Sequence, residues 1–102
     1  MADIRGMVRT QAEYGLSMSD LERILPRLLP EVPPVRHAEC YYVFTLGPDR
    51  RFTIRVGVER ERRLAGLRIP TVDLEFMFEG LGDDECRALR ARFDRVFQKG
   101  GG

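Results

Sequence analysis

Three alternating segments, two stretches of helical spacing and one sharp reversal place this chain in the α+β class. The predicted architecture is a single layer of antiparallel sheet, of four to five strands, with two helices packed on one face. Small or apolar side chains alternate with polar ones through residues 4–14, 52–58 and 72–79, the period of a strand with one buried and one wet side. Leu21, Ile24, Leu25, Leu28 and Leu29, and later Cys86, Leu89, Phe93, Val96 and Phe97, recur at three- and four-residue intervals, the stripe of a helix that buries one side. Between two strand-like runs, Gly47-Pro48-Asp49 supplies a turn, because glycine tolerates positive φ and proline presets φ. The order is strand, helix, four strands, helix (β-α-β-β-β-β-α).

The first strand is Ile4 to Tyr14, ended by Gly15. Ser19-Asp20-Leu21-Glu22 has the spacing of a capping box and predicts a helix start at Ser19. Pro26 falls inside that helix, where it removes one hydrogen bond and clashes with the preceding turn, so a kink or two short helical pieces are expected. Pro30, Pro33 and Pro34 predict an extended crossing over residues 30–37. Residues 41–46 are apolar on both sides, Tyr42, Phe44 and Leu46 on one and Tyr41 and Val43 on the other, which predicts a central strand with its second side covered. Phe52, Ile54, Val56 and Val58 form the inner side of the next strand. Glu59 to Arg63 read as a charged reversal, Leu64 to Ile69 as a short strand halted by Pro70, and Val72 to Glu79 as the last strand. Asp83, Asp84 and Glu85 open the final helix with the sign that suits its positive end. One domain over residues 1–99 and a glycine tail over 100–102 complete the organisation.

Composition limits the functions open to such a domain. With 43% hydrophobic residues, 102 positions suffice for one modest core. No run is long and apolar enough to span a membrane, nothing resembles a signal peptide, and the cytoplasm is the expected compartment. Seventeen basic and sixteen acidic side chains leave a formal charge of +1, without the global excess typical of nucleic-acid binding. All the basic residues except Lys99 are arginine, a preference spread over the whole chain. Cys40 and Cys86 form no CxxC pair and are expected to be free thiols.

Candidate chemistry is sparse. His37, the single histidine, and Cys40 could furnish half of a metal site, but Cys86 and the acids at 83–85 do not complete a recognised spacing, so no metal and no cofactor are expected. Asp73, Glu75 and Glu79 share one side of the last strand, where they would pair with Arg51 and Arg55 on a neighbouring strand rather than act as an acid/base group. Charge is segregated: residues 49–68 hold seven arginines against three acids, and residues 71–85 hold six acids and no base.

Two uses of the surface follow. The leading one is a non-enzymatic protein-interaction module whose sheet meets a partner, in first place a second copy, through Tyr41, Val43 and Met77. The alternative is an arginine-dependent nucleic-acid or anionic-ligand binder using Arg50, Arg51, Arg55, Arg60, Arg62 and Arg63. An enzyme ranks behind both.

Overall fold

The structure, a computed structural model, describes residues 7–38 and 40–101, with side chains as far as Phe97. Five strands, β1 (Val8–Tyr14), β2 (Val35–His37), β3 (Tyr41–Gly47), β4 (Arg50–Leu64) and β5 (Leu67–Glu79), form one antiparallel sheet in the order β1-β5-β4-β3-β2. Helices α1 (Met18–Ile24) and α2 (Asp83–Gly101) lie on one side of it, so the α+β class and the element order are those the alternation and spacing predict. Ile4 to Gly6, which the alternation adds to the first strand, and Gly102 of the tail lie outside the described residues. α2 runs on through Gly100 and Gly101.

The strand order is reached by a different division of the chain. Residues 59–63 continue β4 instead of reversing it, and Leu67 to Glu79 is one strand that passes through Pro70 opposite Glu61. A residue without an N–H is tolerated there because β5 has a neighbour on one side only: β1 stops at the pair Tyr14 and Val72. The real reversal is Ala65-Gly66, with φ of 50° and 83°, a two-residue turn between the paired Leu64 and Leu67. The fifth strand is instead β2, three residues of the proline-bounded crossing that pair with β3.

Where β4 passes from Val56 to Glu59 it carries one residue more than β5 opposite, a β-bulge that reverses which side each later side chain faces. Val58 is therefore 78% exposed rather than part of the core. The same shift puts Glu59 on the helix side, where its carboxylate accepts a hydrogen bond from the Met18 N–H at 2.8 Å.

α1 begins two residues earlier than the Ser19 spacing predicts. Ser17 is the N-cap and accepts from the Asp20 N–H at 3.1 Å, while Glu22 is turned to the sheet and accepts from the Tyr42 hydroxyl. At Pro26 the α-helix gives way to a 3₁₀ turn, Leu25–Arg27, the break that the proline requires. Leu21, Ile24, Leu25 and Leu28 then pack with Tyr42, Phe44, Phe52, Ile54, Leu74, Phe76 and Phe78 of the sheet and Phe93 and Phe97 of α2. Phe76 meets Phe93 edge to face at 4.9 Å, and Tyr14 meets Phe93 at 5.0 Å. Val8, Leu89 and Val96 border this core without being fully enclosed.

Candidate protein interface

Because both helices occupy one side of the sheet, the register decides what the other side presents. Val35, Val43, Thr53 and Met77 are successive partners across β2, β3, β4 and β5, and Arg9 of β1 ends the row. The next row reads His37, Tyr41, Arg55, Glu75 and Gln11. Tyr41, Val43 and Met77, named from the sequence as an interface, thus lie on one face, with Val43 and Met77 in one row and Tyr41 beside Val43 in the adjoining one. At the usual strand spacing the apolar row from Val35 to Met77 is about 14 Å wide. Met77 and Thr53 are only 8% exposed, closed in by their neighbours although, among the described residues, no helix covers this face. Val35 at the edge is 57% exposed.

Val35 and Thr53 are the members that sequence reading missed. Three residues that follow three prolines give no alternation to count, and a threonine on a polar-looking side gives no sign of burial. The available signal was Val35 itself, two positions before His37 and apolar in an otherwise polar stretch.

Ion pairs frame the apolar row. Glu75 receives Arg55 at 3.5 Å and Arg9 at 3.8 Å. Beyond the bulge, the changed parity brings Arg60 and Arg62 to the same side, Arg60 against Asp73 at 2.8 Å and Glu13 at 3.2 Å, Arg62 against Glu13 at 2.7 Å. Gly57, which has no side chain to fill the space, floors a hollow of about 450 Å³ between Glu13, Arg55, Asp73 and Glu75. A methyl group on Gly57 would lie 3.2 Å from the Asp73 carbonyl oxygen, so the two strands approach closely there.

The run Arg50, Arg51, Arg55, Arg60, Arg62 and Arg63 is not gathered into one cationic patch. Arg50 leaves the others to pair with Glu85 at the start of α2, where the Gly82 N–H and then the Arg50 guanidinium hold the Glu85 carboxyl below its usual range. Arg55, Arg60 and Arg62 are paired as above. Among the described residues Arg51 and Arg63 make no ion pair, Arg51 lying opposite Glu79 and Arg63 opposite Arg68. His37 is exposed on β2, Cys86 is on α2 on the other side of the sheet, and both cysteines are free thiols. Among the described residues no group of three His, Cys, Asp or Glu side chains is arranged to hold a metal ion, and no helix is long and apolar enough to cross a membrane.

Comparison with protein-family models, with curated proteins and with solved structures found no match to the chain.

Proposed function

We propose that this protein is a non-enzymatic interaction module that pairs with a second copy of itself through the outer side of its sheet. The observation that carries the reading is the row Val35, Val43, Thr53 and Met77, with Tyr41 alongside, on a face that no described helix covers. A contiguous apolar group on central strands, rimmed by charge, is the composition of an association surface. The rim favours a like partner because it carries both signs: Arg9, Arg51 and Arg55 stand among Glu75 and Glu79, so a twofold rotation sets basic groups of one copy against acids of the other. The pairing of Arg50, Arg55, Arg60 and Arg62 with carboxylates of the same chain also weakens the anion-binding alternative, since a phosphate would have to displace them.

Sedimentation equilibrium tests this directly. The 11.8 kDa chain is expected at twice its mass, and Tyr41→Glu with Val43→Glu is expected to give a folded monomer with unchanged far-ultraviolet circular dichroism. A native protein that stays monomeric at high concentration, or a double variant that keeps the dimer mass, sinks the proposal. A mixed complex with a different protein would assign the face to another partner.

A further inference from the structure

We infer that the groove between β1 and the first half of α2 binds a small amphiphilic monoanion, a carboxylate carried on an apolar body. The groove has a volume of about 580 Å³, within the range of ordinary small-molecule sites, and Val8, Phe78, Cys86 and Ala91 supply its apolar walls. It lies on the helix side of the sheet and shares no residue with the self-association surface.

Its distinguishing feature is Arg90. The guanidinium lies 4.5 Å from the centre of the Phe76 ring, and donates to the Thr10 hydroxyl at 3.0 Å and to the Tyr14 hydroxyl at 3.5 Å. Among the described residues no carboxylate forms an ion pair with it, and its buried Nε has no hydrogen-bond partner. By contrast, Arg87 on the rim is paired with Asp84, and the rim acid Asp83 is exposed to water, which screens it. Arg90 is thus a half-buried cation held by hydroxyls, and one of these, Tyr14, in turn donates to Asp94. A partly desolvated cation without a counter-charge gains from an arriving anion far more than an exposed one does. The apolar walls then favour a ligand whose remainder is hydrocarbon, with its head at Arg90 and its body along Val8 and Phe78.

Decanoate and its uncharged counterpart decanol are suitable probes for the full chain. Calorimetric titration is expected to give one site per chain and at least tenfold tighter binding of decanoate than of decanol. Cys86, in the wall, should be alkylated by N-ethylmaleimide at least severalfold more slowly with decanoate present, while Cys40, which does not line the groove, reacts at an unchanged rate. Arg90→Lys should keep the preference for decanoate, Arg90→Met should bind the two probes alike, and Ala91→Trp should exclude both. Equal binding of the two probes by the native chain, or no protection of Cys86, overturns the inference. So does an Arg90→Met protein that still prefers decanoate. Should Arg90→Met fail to fold, Ala91→Trp decides: unchanged decanoate binding by that variant rejects the groove.

Discussion

Gly80 and Tyr14 have single-atom environments sharp enough to test. Gly80 ends β5 at φ 69°, and a methyl group there would overlap the Asp49 carbonyl oxygen of the β3–β4 turn. Left-handed backbone alone costs a non-glycine residue about 1–2 kcal/mol, and the overlap adds to it. Gly80→Ala is therefore expected to lose at least about 2 kcal/mol in urea unfolding; a loss below about 0.5 kcal/mol would mean that the turn does not sit against this residue. Tyr14 is pushed up to about 12, first by burial and then by its hydrogen bond to Asp94, with Arg90 opposing. The folded protein thus holds the neutral phenol to higher pH than the unfolded chain, which ionises near 10. The stabilisation is complete below pH 10 and is lost as the pH rises from 10 towards 12. Tyrosinate absorbance, compared between the native protein and Tyr14→Phe, should show Tyr14 ionising well above pH 10, and Asp94→Asn should lower its pKa. Ordinary titration of Tyr14 would contradict the burial described. Neither environment was legible in the sequence, since Gly80 was visible only as a strand end and nothing ties Tyr14 to a side chain 80 positions on.

Among the elements, β4 is the most informative because it changes character along its length. From Phe52 to Val56 it lies between β3 and β5 over the core; from Arg60 to Leu64 it pairs only with β5, and every side chain there is exposed. The distal ribbon has little apolar contact to hold it closed, so its amides should open locally. Hydrogen exchange is expected to protect the Phe52–Val56 amides at least a hundredfold more than those of Arg60–Leu64, and equal protection would mean that another element covers the ribbon. This is also where the sequence misled. Charge on both faces of Glu59 to Arg63 reads as a loop when burial is taken as the mark of a strand, and a bulge at Gly57 and Val58 leaves no trace in an alternation that continues up to Val58. By contrast Val72 to Glu79 was legible because its two faces differ sharply, and β3 because it is apolar on both. The proposed interface residues Tyr41 and Val43 were singled out for that reason, on the side of a central strand that no described helix covers.

At the scale of the whole molecule, one layer of sheet with helices on one side makes a half-closed structure. Its radius of gyration, 14.0 Å, exceeds the roughly 13 Å of a compact 102-residue domain, and its extents of 47 × 29 × 26 Å show the elongation produced by the β4–β5 ribbon. If the open side is closed by a second copy, stability depends on protein concentration through mass action. The melting temperature should rise with each tenfold increase in concentration for the native chain and stay constant for Tyr41→Glu with Val43→Glu. A concentration-independent native transition would count against the paired state.

The placement of β1 beside β5 has a consequence for the order in which the molecule comes into being. Val8 pairs with Phe78 and Tyr14 with Val72, so of the five described strands the one made first meets the one made last. Closing a loop of that span is entropically unfavourable until the intervening hairpins have formed, and contacts between distant positions slow folding. A nascent chain that has emerged only as far as Ala65 can pair β2, β3 and β4 while β1 waits with both edges open. Throughout synthesis of the first two thirds of the chain, its N-terminal strand is therefore available to any other strand that reaches it first.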